Sequence, residues 1–282
     1  MEKKEKAARK KYSRPVLGSL GQVLKVFLLM FAVQIVLGTL SGSENMGAVA
    51  AILAAVLALF LFTFSARKDG FRGFLRGEPK RGLLLLIPAM IYSLCGFFFA
   101  SKGFTLSNFL LAVMAGVFEE TMFRALPIAY MMRGWDFDEK KIPVVLFITA
   151  ASFGLFHVTN VFAGASLKVS LIQAAECICV GYLFGAVFLR SGNVLPLMFA
   201  HFLQDVIAFL NGVSNNDGVM NDLSWTPDVI FDAVVMPLML VLGLWYIRKE
   251  KRGEISALWK ELWNGKEAEV PGEEAHSASA EE

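Results

Sequence analysis

The chain has 282 residues, of which 56% are apolar and 18% are charged, and its mean hydropathy is +0.55. Soluble domains average about 45–50% apolar and about 25% charged residues. The composition therefore excludes an ordinary soluble domain, a disordered chain and a disulfide scaffold. A net charge of +2 gives no electrostatic reason to expect nucleic acid as a partner. The composition predicts an integral membrane protein in contact with lipids.

Eight apolar segments are each close to the roughly 20 residues that a helix needs to cross a bilayer. Gly, Ser, Asn and charged residues separate them, as expected for loops. The predicted fold class is all-α, a polytopic helix bundle that crosses the cell membrane several times. The segments are Val23–Leu40, Ala48–Phe64, Gly82–Ala100, Phe109–Met131, Ile142–Phe162, Val169–Leu189, Val194–Leu210 and Val229–Ile247.

The distribution of Lys and Arg predicts the orientation of the bundle. With a cytoplasmic N-terminus, the segments predicted to lie inside hold 23 of the 27 Lys and Arg residues. The outside loops hold only Lys102 and Lys168, and the long loop over residues 211–228 holds none. Because cytoplasmic loops are enriched in Lys and Arg, both termini are predicted to be cytoplasmic.

Three regions follow from this pattern. Residues 1–22 are predicted to be a basic cytoplasmic N-terminal segment. Residues 23–247 are predicted to be the transmembrane helical domain. Residues 248–282 are predicted to be a cytoplasmic tail that is largely disordered, because its end is rich in Glu, Ala, Ser, Gly and Pro.

Ionisable residues inside the predicted spans need an explanation, since each costs about 2.5–3.5 kcal/mol at the centre of a membrane helix. Most of them occur at helical i,i+4 spacing, which places the two members of a pair on one helix face. Glu120 can thus pair with Arg124, while Glu119 points about 100° away from that pair. The residues at this spacing are Glu120 and Arg124, Phe153 and His157, and His201 and Asp205.

Two His residues, a free Glu and an Asp on neighbouring helices are the groups required to activate water. They supply a general base, a second group for the proton and a donor for an oxyanion. A transporter or proton pathway is the alternative that the same residues allow, and Glu176 in the sixth span favours it most. The absence of an obvious inverted repeat and the clustering of the ionisable groups favour catalysis.

The motifs Glu119-Glu120-x-x-x-Arg124, Phe153-x-x-x-His157 and His201-x-x-x-Asp205, in this order, resemble those of the CPBP (Abi) family. This family includes the type II CAAX prenyl endopeptidases and many bacterial intramembrane proteases. The resemblance covers about residues 109–210, and it implies that this part of the transmembrane domain is the catalytic core. It implies an intramembrane endopeptidase whose substrate is a peptide or a membrane protein.

The resemblance also implies a role for each residue. Glu119 would activate water with His157 beside it, and His201 and Asp205 would stabilise the oxyanion of the attacked carbonyl. The family more typically has Asn at the position of Asp205. Structural support would come from Glu120, Arg124 and Phe153.

The requirement for a metal stays open from the sequence. Glu119, His157 and His201 are candidate ligands for Zn²⁺, because two His and a carboxylate with an open position suit that ion. A Glu/His site that activates water without a metal is the interpretation we prefer. A non-catalytic protein of the same fold, acting in bacteriocin immunity or as a membrane scaffold, is the alternative function.

Overall fold

The computed structural model describes residues 10–38, 45–98, 100, 102–211 and 227–264, and this part of the chain is helical without strands. The fourth helix, α4, runs through two π-helical turns, π1 and π2, into α5. The elements are α1 (Pro15–Gly38), α2 (Met46–Arg67), α3 (Pro79–Phe97), α4 (Leu106–Met114), π1 (Ala115–Glu119), π2 (Thr121–Ala125), α5 (Leu126–Gly134), α6 (Ile142–Val158), α7 (Leu167–Ser191), α8 (Leu195–Leu210), α9 (Pro227–Tyr246) and α10 (Lys249–Asn264).

The predicted all-α polytopic fold is confirmed. Each predicted span coincides with a helix, and the fourth coincides with the continuous run from α4 to α5. Among the described residues, α1, α2, α3, α7 and the helical run Glu139–Phe162 that contains α6 are long and apolar enough to cross a membrane. Helix α8 and the apolar part of α9 are shorter. The protein is thus a multi-pass membrane protein, and the count of eight spans stays a prediction.

Proline and glycine set several of the helix ends. A proline in the first helical turn costs no backbone hydrogen bond and has a suitable φ angle. Gly192 ends α7 in the left-handed conformation, with φ of +64°. The helices α3, α6 and α8 each have a proline in their first turn, namely Pro79, Pro143 and Pro196.

The centre of the bundle consists of α5 and the second half of α7. Every residue from Leu126 to Met132 is buried, as is every residue from Gly181 to Ser191. Helices α6 and α9 pack on α7, α1 packs on α2 and α5, and α8 packs on α3, α4 and π1. Large apolar side chains are exposed on the outer helices, as expected for surfaces that face lipid, and examples are Leu24, Leu28, Phe60, Leu84 and Leu238.

The segments predicted to be cytoplasmic contact one another. Lys11 pairs with Asp69 across 2.6 Å, the backbone N–H of Arg72 donates to the carbonyl of Leu262 at 2.8 Å, and Arg81 pairs with Glu254. At the opposite ends of α3 and α8, Asn211 donates to the carbonyl of Gly96 at 3.0 Å. The predicted inside segments thus lie together at one end of the bundle, as the predicted alternation of inside and outside loops requires. The side of the membrane on which each end lies stays a prediction, and residues 212–226 of the long loop lie outside the described residues.

The prediction of a largely disordered tail is wrong for residues 249–264, which form α10. Its buried face includes Trp259 and Trp263, and the Trp259 indole N–H donates to the carbonyl of Leu189 at 3.0 Å. The Ser256 hydroxyl donates to the carbonyl of Phe137 at 2.8 Å. Tertiary packing of these apolar residues overrides the polar composition of the segment. Residues 265–282 lie outside the described residues.

Candidate active site

The site is built around the two π-helical turns in the fourth membrane segment. Thr105 begins α4 with a capping box, in which its hydroxyl accepts from the backbone N–H of Asn108. Glu119 ends π1, Glu120 separates the two turns and Arg124 lies in π2. A π-helical turn holds an extra residue and is common at functional sites. It places the two adjacent glutamates differently from a regular α-helix.

Glu120 is fully buried and contacts two cationic or potentially cationic groups through one oxygen. Its Oε1 accepts a hydrogen bond from Arg124 Nη1 at 3.1 Å and from His201 Nδ1 at 2.7 Å. The predicted pair with Arg124 is therefore present. The contact with His201 was not predicted, because a spacing within one helix carries no information about a residue 81 positions away on α8.

Arg124 is held by stacking as well as by its ion pair. Its guanidinium carbon lies 3.9 Å from the ring centroid of Phe153, which is a close cation–π contact. Its Nε and Nη2 have no hydrogen-bond partner among the described residues. Gly181 on α7 leaves space for this side chain, since a Cβ there would lie 2.8 Å from Nη2.

His201 lies between the two adjacent glutamates of the fourth segment. While its Nδ1 donates to Glu120, its Nε2 lies 3.6 Å from Glu119 Oε2 and 3.9 Å from Asp205 Oδ1. These last two distances are too long for hydrogen bonds. Glu120, and not Asp205, therefore makes the hydrogen bond that orients the His201 ring.

Phe153 connects the second histidine to the rest of the cluster. His157 Nδ1 donates to the backbone carbonyl of Phe153 at 3.0 Å, and the two rings meet edge to face at 4.6 Å between centroids. The Phe153 ring also lies 6.1 Å from the ring of His201. The spacing of Phe153 and His157 thus gives the ring contact that it predicted. No hydrogen bond or ion pair joins His157 to Glu119, His201 or Asp205 in the described chain.

A glycine that the sequence analysis did not single out allows α8 to approach the fourth segment. A Cβ on Gly116 in π1 would lie 2.5 Å from the carbonyl oxygen of Met198, which is closer than packing permits. This close approach places His201, one turn further along α8, against Glu119 and Glu120. Without an observed partner, an isolated glycine in an apolar segment gives no signal of this role.

The donor set does not form a metal site. In the part of the chain that the structure describes, no three His, Cys, Asp or Glu side chains are grouped so that they could hold a metal ion. The candidate ligands Glu119, His157 and His201 form no such group. We therefore assign no step of the reaction to Zn²⁺.

The side chains of the cluster differ in their access to solvent, and this difference determines which of them can contact a substrate or water. Glu120 and Arg124 are sealed from solvent, whereas the side chains of Glu119, His201 and Asp205 are 15%, 12% and 31% exposed. Both His201 Nε2 and a Glu119 oxygen can contact the same small molecule, because they are 3.6 Å apart. The site can therefore bind a water molecule beside a carboxylate and an imidazole.

The comparisons with known proteins agree with the motif resemblance. A family model described as type II CAAX prenyl endopeptidase Rce1-like matches residues 100–207, which contain all three motifs. The predicted family resemblance is thereby confirmed for this region. The matched region is thus similar to a family of endopeptidases. Neither the curated proteins nor the solved structures contain a significant match to the chain.

Proposed function

We propose that this protein is an intramembrane endopeptidase of the cell membrane, in which Glu119 and His157 activate water and His201 stabilises the oxyanion. The observation that carries the proposal is the arrangement of His201 between Glu119 and Glu120, within the region matched by the endopeptidase family. The substrate is a peptide or membrane protein whose scissile bond comes near or within the membrane.

Glu119 is suited to the role of general base. Its Oε2 has no hydrogen-bond partner within 3.5 Å in the described chain, and its side chain is partly accessible. Its neighbour Glu120 is occupied by Arg124 and His201 and has no accessible surface. A carboxylate with a free oxygen can bind and deprotonate water, whereas one engaged in buried hydrogen bonds holds its partners in place.

His201 is suited to stabilise the developing negative charge. Because Nδ1 donates to Glu120, the ring orientation is fixed and Nε2 faces the accessible side of the cluster near Glu119 and Asp205. Nε2 donates to an oxyanion when the ring carries both protons, and the surrounding carboxylates compensate that positive charge. Asp205, whose side chain is more exposed, adds a second polar contact at the same edge.

Three side chains of the cluster account for the proton transfers and the charge that develops during hydrolysis. The carboxylate of Glu119 takes a proton from water as the water oxygen forms a bond to the carbonyl carbon of the substrate. The imidazole of His157 binds the same water molecule. The oxyanion accepts a hydrogen bond from His201. When the C–N bond breaks, Glu119 returns the proton to the leaving amine.

The test replaces the base without changing its shape. Membranes that contain wild-type protein or the Glu119→Gln variant are compared by quantitative mass spectrometry of newly formed peptide termini. We expect the cleavages that depend on the wild type to be lost in Glu119→Gln, while the variant stays folded. Glu250→Gln is the matched control, because the side chain of Glu250 on α10 is 72% exposed and far from the chemistry.

The result that overturns the base assignment is a Glu119→Gln protein with wild-type cleavage. A second outcome concerns the alternative function. If the wild type and both variants give the same peptide termini, and a defined cellular phenotype still depends on the protein, then the non-catalytic scaffold or immunity function replaces the proposal.

A further inference from the structure

A crevice separate from the candidate active site lies between α1, α2 and α5. Its volume is about 490 Å³. Its walls are mostly apolar and consist of side chains from all three helices, among them Val26, Leu29, Leu61, Phe62 and Leu126. The crevice is therefore shaped and lined like a site for a hydrocarbon chain.

One end of the crevice is polar. Lys11, Tyr12 and Ser65 line it there, and Lys11 Nζ contacts Asp69 at 2.6 Å and Ser65 Oγ at 3.3 Å. The hydroxyl of Tyr130, also a lining residue, donates to the carbonyl of Lys11 at 2.7 Å. These bonds fix the polar end. The crevice thus combines an apolar body with an ordered hydrophilic end.

Lys25 is the residue that gives the crevice its charge preference. It lies ten residues into α1, or about 15 Å along the helix from Pro15. Only 6% of the apolar window of α1 is buried in the protein, so most of the helix surface that does not contact α2 and α5 is available to lipid. Lys25 lines the crevice, and within the described chain it has no ion pair or hydrogen bond. Gln22, one turn earlier on the same face, lines the crevice as well.

We propose that this crevice binds an anionic phospholipid from the leaflet that surrounds the N-terminal half of α1. The phosphate pairs with Lys25, whose long side chain can reach toward the headgroup region, and the ordered polar end with Lys11 and Tyr12 contacts the rest of the headgroup. One acyl chain lies along the apolar wall. Lys25 lies two residues inside the first predicted span, which begins at Val23, and an anionic headgroup at that level supplies a partner of opposite charge.

The test measures lipid retention by the intact purified protein. Wild type is extracted from membranes that contain phosphatidylglycerol and phosphatidylcholine, and its lipid adducts are measured by native mass spectrometry. We expect Lys25→Met to lower phosphatidylglycerol retention by about fivefold, as for the loss of one contact between a lysine and an anionic lipid. Methionine keeps the length of the side chain and suits a lipid-facing helix. Lys140→Met is the matched control, because it removes the same charge from an exposed position outside the crevice.

A second variant tests the crevice without changing its charge. Leu61→Trp adds bulk at an exposed residue of the lining, and we expect it to lower phosphatidylglycerol retention as well. Equal losses in Lys25→Met and Lys140→Met would show attraction by net surface charge and overturn the site. Unchanged retention in both Lys25→Met and Leu61→Trp would also overturn it. Since none of these residues belongs to the proposed catalytic cluster, the outcome is independent of the proposed protease activity.

Discussion

At the scale of single residues, Glu120 determines the geometry of the candidate site. One of its oxygens accepts hydrogen bonds from Arg124 and from His201, so it joins the fourth segment to α8. Arg124 in turn stacks on Phe153, which contacts both histidines. A residue that the motif suggests only as structural support therefore also positions the proposed oxyanion-stabilising histidine.

Arg124→Ala should lower the stability of the protein strongly. Both members of the pair are buried, and removing one member of a buried ion pair typically costs about 3–5 kcal/mol because the other charge stays uncompensated. Thermal unfolding of the purified protein measures the effect. Arg72→Ala is the control, since the side chain of the exposed Arg72 pairs loosely with Glu261 at 4.0 Å and such pairs contribute at most about 1 kcal/mol. Equal unfolding temperatures for the two variants would contradict this role of Arg124.

Asp205→Asn should keep most of the activity, whereas Asp205→Ala should lose about 10²–10³ in rate if the side chain donates to the oxyanion. The structure supports tolerance of Asn, because Glu120 and not Asp205 makes the hydrogen bond that orients His201. The amide of Asn can donate at every pH. The measurement is the rate of a cleavage identified through the Glu119→Gln comparison. An inactive Asp205→Asn enzyme with a normal unfolding temperature would show that the negative charge itself is required.

At the scale of elements, sequence patterns predict where the helices lie better than they predict how the helices contact one another. The eight apolar segments and the i,i+4 pair of Glu120 and Arg124 are all found, because apolar length and helical spacing are local properties. The two π-helical turns were not predicted, since they leave no mark in hydropathy or spacing. The contact between Glu120 and His201 was also missed, because it depends on how α8 crosses the fourth segment. Helix α10 was missed because its apolar residues are buried only through tertiary packing.

Gly116→Ala tests whether the close approach of α8 to π1 maintains the site. The added Cβ would lie 2.5 Å from the backbone oxygen of Met198, so one of the two elements must move. We expect a loss of about 1–3 kcal/mol in stability, typical of overpacking, together with a loss of cleavage activity as His201 shifts from Glu120. Gly21→Ala on α1 is the control. A Cβ there meets nothing within 4 Å, and replacing a mid-helix glycine by alanine should stabilise the protein by about 0.5–1 kcal/mol. Wild-type activity in Gly116→Ala would show that the site tolerates a wider separation.

At the scale of the whole molecule, the basic segments form one connected layer. Contacts join the N-terminal segment to the end of α2, the loop before α3 to α10, and α10 to the turn after α5. Arg190 at the end of α7 belongs to the same layer, because it donates to the carbonyl of Tyr246 at 3.0 Å and lies 3.6 Å from Glu254. These contacts explain why residues that the sequence assigns to separate inside loops must all lie on one side of the bilayer.

The orientation of that layer is the last prediction, and it follows from the excess of Lys and Arg in the predicted inside segments. Single cysteines are introduced at Ser214 or at the exposed Lys140 of a variant that lacks Cys95, Cys177 and Cys179. Intact cells are then treated with a membrane-impermeant maleimide. We expect Ser214→Cys to react and Lys140→Cys to react only after the cells are opened, because cytoplasmic thiols are shielded from the reagent. The reverse pattern, in which Lys140→Cys reacts in intact cells and Ser214→Cys is protected, would invert the topology. It would also place α10 outside, since contacts join α10 to the rest of the layer and the layer must lie on one side as a unit.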